Sequence, residues 1–465
     1  MLKIYENSLL RQYAVVIIAN LSVLATGVGL MWPSPVLVKL RNETQTVLRQ
    51  PITEEEGSWI VSIGFLSGIA SNLFIGTFLV DRLRRKHCLI LACLPKFAAA
   101  FLFIYASEVW MLLLGRALMG IADAGIFTLL PIYASEIASK EIRGGLGSIL
   151  QIMCSFGVVI MLSMGPFLSY TTLNIIFIGI IALTTIPLLI VPDSPYSLYS
   201  KGHTEEALKV LTFLRGSETL ANEELKEYKI ASETNNIKVS KKDIVTNPLF
   251  LKSLLLTLTL GFGSQFVGFN AVTFYLQTVL ESTQTSVKPA VASVTIGLIQ
   301  LFASFCTTMV TDRFGRKPIL SVTSIGMGVG MLGLGLFFKL KESVPVEGFL
   351  NYLPLISLIL VVYCYSAGIG SLIWVINAEL FDDRSRGIGM SISQITSTLF
   401  VFLTTKYFAV VSSAIGAAAT YWIFSANCIL LCLFVMFCIP ETKGKSFAEI
   451  QDILRMKKKD GKNKC

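Results

Sequence analysis

The sequence predicts an all-α membrane protein with twelve transmembrane helices in two six-helix halves. Three observations lead to this fold class: an apolar composition, twelve apolar stretches long enough to cross a bilayer, and charged motifs that recur in the same order in both halves. Of 465 residues, 53% are hydrophobic and 15% are charged, and the mean hydropathy is +0.68. Soluble proteins of this length are much more polar.

Each predicted span follows from the requirement that about 20 mostly apolar residues cross the hydrocarbon core. The first six stretches are 12–35, 58–80, 88–107, 109–131, 145–168 and 172–191, and the last six are 253–278, 289–310, 318–339, 352–377, 387–411 and 415–438. The first stretch is expected to stay in the protein, because it is long and ends in MWPSPVL rather than in a small-residue cleavage site.

The polar segments divide the chain into four parts. We predict an N-terminal half at 1–191, a cytoplasmic helical linker at 192–250, a C-terminal half at 251–439 and a basic tail at 440–465. The linker contains GHTEEALKVLTFLRG at 202–216 and NEELKEYKIASE at 222–233, whose apolar residues recur at helical spacing with glycine at the ends. Short amphipathic helices on the inner side are therefore expected.

The distribution of basic residues predicts the orientation. With both termini inside, the outer loops hold only six of the 39 Lys and Arg residues, namely Lys39, Arg41, Arg49, Lys288, Lys339 and Lys341. The net charge of +9 then reflects orientation and a tail suited to anionic lipid, so nucleic acid is not an implied partner. With His87 and His203 as the only histidines, no metalloprotease motif or catalytic histidine arrangement is present, and we predict neither an enzyme nor a cofactor.

The first outer loop contains a candidate modification site. Asn42-Glu43-Thr44 has the pattern of an N-glycosylation acceptor, although such tripeptides also arise by chance. The nine cysteines all fall in spans or at inner ends, which leaves no outer-loop pair for a disulfide.

Charged motifs repeat in one order at the inner ends of both halves. One motif follows the second span of each half, a Glu and Arg pair seven residues apart follows each fourth span, and Pro192-Asp193-Ser194 and Pro440-Glu441-Thr442 close the halves. The residues concerned are Asp81, Arg82, Arg85, Glu136 and Arg143 in the first half and Asp312, Arg313, Arg316, Glu379 and Arg386 in the second. This order indicates duplication and the parallel-repeat architecture found in transporters.

These charged residues have two interpretations. Carboxylates at helix ends can pair with arginine from neighbouring helices and hold the inner face shut until the halves move. Alternatively, the basic residues only anchor the inner ends of the spans. The matched carboxylate partners in both halves favour an inner gate.

Four charged residues lie within predicted spans, where a charge is costly and usually functional. Arg116 and Asp123 are seven residues apart on one face of the fourth span, and we expect them to pair with each other or to form a titrating couple for proton coupling. Lys406, near a helix end, is expected to extend to the interface. No role is assigned to Lys96.

Neutral polar residues in apolar spans are the candidate substrate-binding residues. They are Gln151, Gln265, Asn270, Gln300 and Trp374. Buried amides need hydrogen-bond partners, which sugar hydroxyls can supply, and an indole suits the apolar face of a sugar ring. Hydrogen bonding between helices is the alternative role of each amide.

Several motifs resemble those of the sugar porters of the major facilitator superfamily, in particular the arthropod facilitated trehalose transporters and the animal hexose facilitators. They run from the second span to the tail: DRFGRK (312–317), GRALMG (115–120), PIYASEIASKEIRGGLGS (131–148), PDSP (192–195), QFVGFNAVTFY (265–275), WVINAELF (374–381), RSRG (384–387) and PETKGKSFAEI (440–450). The resemblance implies the major facilitator fold, and a sugar site that includes Gln151, Gln265, Asn270, Gln300 and Trp374. It also implies an inner ion-pair network made of Arg82, Arg85, Glu136, Arg143, Arg313, Arg316, Glu379 and Arg386.

The sequence departs from the family pattern at substrate and gating positions. Ser264 stands where the first Gln of QQ is usual, Ser397 where an Asn is usual, and Ser371 and Ile373 replace the prolines of GPxPW. Arg84 and Tyr196 replace a Gly and an Arg of two inner motifs. Without the prolines, the tenth helix should be less broken.

The expected activity is facilitated movement of a hexose or trehalose across the plasma membrane by alternating access. Proton-coupled members carry an acid in the first span, whereas no acidic residue lies between Arg11 and Lys39. A proton-coupled symporter using Asp123 and a transporter-like sugar receptor are the alternatives. The expected partners are a sugar and membrane lipids, and the sequence does not determine the oligomeric state.

Overall fold

The computed structural model describes residues 8–74, 82–139, 143–234, 246–343, 345–381, 385–443, 449–450 and 453, with the backbone alone at 143–148, 231–234, 308–313 and 378. Within these ranges the chain is helical and contains no strand. This agrees with the predicted all-α class, since a helix satisfies its backbone hydrogen bonds within one segment of a membrane-spanning chain.

The N-terminal helices form the first group. They are α1 Ser8–Met31, α2 Pro33–Arg41, α3 Glu54–Phe74, α4 Arg85–Ile104, α5 Val109–Ile137, α6 Arg143–Met164 and α7 Tyr170–Thr185, the last continued by a 3-10 turn at Ile186–Leu189. Three helices of the linker follow, at α8 Pro195–Ser200, α9 Thr204–Arg215 and α10 Glu218–Thr234.

The C-terminal helices form the second group. They are α11 Pro248–Phe266, α12 Phe269–Phe274, α13 Leu276–Thr283, α14 Pro289–Phe314, α15 Arg316–Lys341, α16 Leu353–Cys364, α17 Gly370–Glu379, α18 Arg386–Ile415 and α19 Ala417–Cys438. A 3-10 turn at Gly348–Asn351 precedes α16, and a π-helix at Tyr365–Ile369 joins α16 to α17.

Eleven helical stretches in the described residues are long and apolar enough to cross a membrane, and a shorter apolar stretch, Ile149–Met164, lies within α6. Together they follow the twelve predicted stretches in order. The first is longer than predicted: α2 begins directly after α1 and runs to Arg41, because proline is tolerated in the first helical turn. Lys39 and Arg41 therefore lie on the last turn of a helix rather than in a loop.

Two of the predicted spans differ in the continuity of their helices. At the end of α11, Gly268 takes a left-handed backbone (φ 85°) that separates α11 from α12. The tenth predicted span, by contrast, runs without a break from Leu353 to Glu379 through the π-helix. Neither Ser371 nor Ile373 removes a backbone N–H as proline would, which explains the continuity.

The linker helices lie at one end of the helix bundle, and the loop between α2 and α3 lies at the other. Helices α8–α10 lie where α5 ends: the Arg215 guanidinium donates to the Ile137 carbonyl (2.9 Å), and the Tyr133 hydroxyl donates to the Pro192 carbonyl (2.7 Å). We call this end the linker face. The opposite end, which carries residues 42–53 between α2 and α3, is called the loop face.

Small residues bring the helices close together. Helix α3 packs on α5 at Gly64 and Gly120, and α1 packs on α6 at Gly27 and Gly157. A Cβ atom at Gly120 would overlap the Gly64 carbonyl, and one at Gly157 would overlap the Leu24 carbonyl. Close backbone approach of this kind replaces the hydrophobic effect as the packing force in lipid.

Replacing Gly120 by valine should prevent α3 and α5 from packing, because overfilling a close contact costs at least about 1–3 kcal/mol. We expect less folded protein and a lower melting temperature in detergent, measured by fluorescence-detected size-exclusion chromatography after heating. The matched control is Gly179→Val on α7, where a Cβ atom meets no atom within 4 Å. Equal melting temperatures for the two variants would contradict this packing role.

Candidate functional site

The helix break at Gly268 holds two of the predicted substrate-binding amides together. The Asn270 side-chain amide on α12 donates to Gln265 Oε1 on α11 (2.6 Å), and Gln265 Nε2 donates to Ser264 Oγ (3.3 Å). Gln265 is buried and Asn270 is half-buried. The break thus orients a connected pair of amides, which can donate and accept hydrogen bonds as a polyhydroxylated ligand requires.

An aromatic pair beside these amides was missed by the sequence analysis. Phe269, next to Asn270, stacks on Tyr365 with ring centroids 3.6 Å apart and planes 5° apart. Tyr365 begins the π-helix, an irregularity that often marks functional sites. The sequence signal available for Phe269 was its position within QFVGFN. The π-helix that begins at Tyr365 has no comparable sequence pattern.

Gln151 and Gln300 lie on helices that touch across the two groups. Ser155 on α6 and Ser304 on α14 share a buried hydrogen bond of 2.7 Å. Gln151 lies one turn from Ser155 toward the linker face, and Gln300 lies one turn from Ser304 toward the loop face, because the helices run in opposite directions. The two amides are therefore on neighbouring helices but at different depths.

Trp374 lies on α17, which directly follows the π-helix, and 38% of its surface is exposed. One turn further, Asn377 is fully buried, and neither its Oδ1 nor its Nδ2 has a hydrogen-bond partner in the described part of the chain. An unsatisfied buried amide is costly. Asn377 is, after Phe269 and Tyr365, a third residue that the sequence analysis did not single out.

At the linker face, the N-terminal helices contain one predicted ion pair. Arg85 at the start of α4 contacts Glu136 at the end of α5 (3.4 Å), and the Ser194 hydroxyl donates to the same carboxylate. The Lys86 backbone N–H donates to Asp193 Oδ1 (3.3 Å). The PDSP segment thus caps the N-terminus of α4, where a carboxylate is favoured by the helix dipole.

The C-terminal helices repeat this arrangement. Arg316 at the start of α15 contacts Glu379 at the end of α17 (3.2 Å), and Glu441 accepts hydrogen bonds from the backbone N–H groups of Arg316 and Lys317 (both 3.0 Å). Burial acts to raise the pKa of Glu441, but bonds from four backbone N–H groups outweigh it and hold this pKa below its ordinary value. The matched geometry explains the matched sequence motifs.

Some predicted gate residues cannot be placed. Asp81 and the side chains of Arg143, Asp312 and Arg313 lie outside the described residues, while Arg82 and Arg386 lie at the linker face and make interactions there. The two ion pairs described above each join helices of the same group. Their role as a gate stays a prediction.

The predicted pairing of Arg116 with Asp123 is wrong. Asp123 instead pairs with Lys96 on α4 (3.0 Å), and the Lys96 ammonium also donates to Thr26 Oγ1 on α1 (2.5 Å). Arg116 turns the other way and donates to the carbonyls of Gly29 and Ile60, both at 3.0 Å. Arg116 and Asp123 lie two helical turns apart, about 10 Å along the axis of α5. Their side chains therefore reach different neighbouring helices.

The predicted extension of Lys406 to the interface is also wrong. Only 8% of Lys406 is exposed; its ammonium lies over the Trp59 ring (4.1 Å) and donates to Ser58 Oγ (2.8 Å). Lys406 belongs to α18 and its partners belong to α3, so this contact joins the two helix groups. The hydroxyl and the ring satisfy the charge inside the protein, which removes the need to reach the interface.

Further contacts join the two groups near the loop face. The Gln277 backbone N–H donates to Ser34 Oγ (3.1 Å), and ring contacts link Trp59 to Phe402 (6.2 Å) and Phe65 to Phe274 (5.6 Å). With the Lys406 contact, they close the loop face in this conformation.

Asn42 is exposed at the loop face directly after α2. Its Oδ1 accepts hydrogen bonds from the backbone N–H (2.9 Å) and the hydroxyl (2.7 Å) of Thr44. The acceptor tripeptide is thus accessible, and its glycosylation stays a prediction.

Comparison with known proteins assigns the family. The family model described as "Sugar (and other) transporter" matches residues 33–454. The chain belongs to this family. It is also 31% identical over 448 residues to the facilitated trehalose transporter Tret1 of Polypedilum vanderplanki, an alignment that covers 95% of this chain and 87% of that protein. A member of the sugar (and other) transporter family is a membrane transporter rather than an enzyme.

Solved structures support the fold of this transporter. The inward open conformation of the xylose transporter XylE from E. coli matches 95% of this chain and 99% of that chain, with a TM-score of 0.78 at 22% identity. A structure described as the proton:xylose symporter XylE bound to 6-bromo-6-deoxy-D-glucose matches with the same coverage, a TM-score of 0.74 and 22% identity. The chain therefore has the major facilitator superfamily fold.

Breaking the Lys96 and Asp123 pair should destabilise the transporter. Lys96→Met or Asp123→Asn alone leaves one buried charge uncompensated, which costs about 3–5 kcal/mol. The double variant removes both charges and should recover most of the loss. Thermal unfolding in detergent tests this with a double-mutant cycle, and additive losses in the double variant would show that the two residues do not stabilise each other.

Removing the Lys406 contact should loosen the loop face. A cation over an indole contributes about 0.5–2 kcal/mol, so Lys406→Met should shift the equilibrium toward an open loop face by roughly 2- to 30-fold. Spin labels at the exposed residues Glu43 and Gln284 would report a larger population of long distances. Lys339→Met, which changes an exposed lysine paired with Glu342 (2.7 Å), is the control; the same distance distribution in both variants would exclude Lys406 from the closure.

Proposed function

We propose that this chain is a facilitative sugar transporter that moves trehalose or a hexose across the plasma membrane by alternating access. The connected amides Gln265 and Asn270, held at a helix break in a member of this family, are the observation that carries the proposal. Tret1, the relative from Polypedilum vanderplanki, is described as a facilitated trehalose transporter. It supports trehalose as the first sugar to test.

In the proposed architecture, twelve spans form two six-helix halves, with both termini and the linker helices in the cytoplasm. The linker face is then the inner face, in agreement with the distribution of basic residues. The sugar would bind between the halves near Gln151, Gln265, Asn270, Gln300 and Trp374. The stacked rings of Phe269 and Tyr365 add an apolar surface at the same helix break.

The described contacts suggest how access alternates. Uncharged hydrogen bonds, ring contacts and one lysine close the loop face between the halves, whereas the described linker-face ion pairs lie within a half. Rocking the halves would therefore exchange weak cross-half contacts while each half stays rigid. A sugar shifts this equilibrium only as far as it binds the two states differently.

Proton coupling is the second candidate mode. It is favoured by the buried Lys96 and Asp123 pair, since ionisable residues inside spans often mark ion or proton pathways, and XylE is described as a proton:xylose symporter. The lack of an acidic residue between Arg11 and Lys39 favours the facilitative mode. The sugar-receptor alternative predicts binding with little transport.

Uptake of labelled trehalose and glucose by proteoliposomes tests the proposal. We expect saturable uptake that a protonophore does not change, and Gln265→Ala should raise the KM about tenfold or more, because it removes hydrogen bonds to the sugar. Gln50→Ala, an exposed loop amide, is the control. Uptake abolished by the protonophore would establish coupling, and binding without uptake would favour a receptor.

A further inference from the structure

A cavity of about 400 Å³ opens at the loop face, away from the central amides. Its lining includes Pro35, Lys39, Arg41, Gln277 and Glu281. The volume lies within the range of about 300–1,000 Å³ found for small-molecule sites. Residues from α2 and the neighbouring loops form one wall, and residues of α13 form the other, so the cavity lies between the two helix groups.

The first wall carries two positively charged side chains, which are hydrogen-bond donors. Lys39 is only 8% exposed, and its ammonium interacts electrostatically with the Glu281 carboxylate of the opposite wall. Arg41 uses Nη1 to contact Glu54 (3.2 Å), while its buried Nε and Nη2 have no partner in the same part of the chain. The buried donors of a charged group are costly to leave unpaired, so a shift of the Arg41 guanidinium toward a ligand with acceptor oxygens would be favoured.

The second wall supplies acceptors and balances the charge. The Glu281 carboxylate faces the cavity, and burial raises the pKa of Glu281, although a Gln277 hydrogen bond and the charges of Lys39 and Arg41 act in the opposite direction. Glu281 can offset Lys39, and Glu54, which lies outside the cavity lining, pairs with Arg41, so the four charges sum to zero when both carboxylates are ionised. A neutral ligand whose groups both donate and accept fits this set better than an anion, and each hydroxyl of a sugar does both.

The cavity depends on the closed loop face. The Gln277 backbone N–H donates to Ser34 Oγ (3.1 Å) directly beside Pro35, so one hydrogen bond ties the two walls together. Separation of the walls would part Lys39 from Glu281 and divide the cavity. A ligand held by both walls therefore binds the closed loop face better than the open one and stabilises it.

We propose that this cavity is a second sugar site, at the loop face, which binds sugar between Lys39, Arg41 and Glu281 and holds the loop face closed. The choice of sugar as ligand rests on the proposed function. At high sugar concentration on the loop-face side, occupancy of this site slows the return to the loop-face-open state. Uptake velocity then passes through a maximum and falls.

Equilibrium binding of tritiated trehalose, and in parallel of tritiated glucose, to the purified full-length chain tests the site. We expect two sugars per chain. Gln265→Ala should remove or weaken the central one, whereas Glu281→Gln and Lys39→Met should each weaken the loop-face one about tenfold or more. Glu281 is exposed at the rim and glutamine has its size, so this variant should fold. Glu347→Gln, an exposed loop-face carboxylate, is the matched control.

The outcomes separate this proposal from the transport function. One sugar per chain, lost in Gln265→Ala and retained in Glu281→Gln, would overturn the second site and leave the central site intact. Binding lost only in Glu281→Gln would support the second site while arguing against the proposed central one. Binding of inorganic phosphate that Glu281→Gln strengthens, without binding of either sugar, would overturn the assignment and identify an anion site.

Discussion

The requirement that backbone polar groups be satisfied within the membrane shapes this protein. It confines the spanning segments to helices, so irregular backbone at membrane depth is restricted to a few positions. The described chain uses two of them together: the break at Gly268 and the π-helix at Tyr365–Ile369, whose flanking rings stack on each other. The candidate sugar-binding amides Gln265 and Asn270 lie at this junction. The polar side chains proposed to bind sugar thus lie where the regular helix is already interrupted.

The strength of the contacts differs between and within the helix groups. The described linker-face ion pairs join helices of one group, and carboxylates cap the starts of α4 and α15. The described contacts between the groups include a serine pair, a hydrogen bond from a backbone N–H to a serine hydroxyl, aromatic contacts and Lys406 on Trp59. Charged contacts join helices within each group, while the proposed rocking would exchange contacts between the groups that are mostly uncharged. This division suits rigid bodies that rock about a central site.

The buried charges in the spans of the first helix group also have partners on neighbouring helices of that group. Lys96 and Asp123 compensate each other between α4 and α5, and Arg116 is bound by carbonyls of α1 and α3. None of these charges is left exposed to lipid, which would be costly. The buried Lys96 and Asp123 pair is also the feature that keeps proton coupling open as a mode of transport.

Composition, hydropathy and the motif order by themselves determined the helical class, the order of the spans and the duplicated charged motifs. The reason is that membrane insertion and helix formation depend on local composition and on short periodicities. The sequence could not determine which partner each polar side chain takes. Lys96, rather than Arg116, pairs with Asp123, and Lys406 reaches Trp59 of the other helix group, because helix rotation and packing decide which faces meet. The loop-face cavity is a tertiary feature for the same reason: Lys39 and Glu281 are 242 positions apart in the chain, and only packing of the two groups brings them to one site.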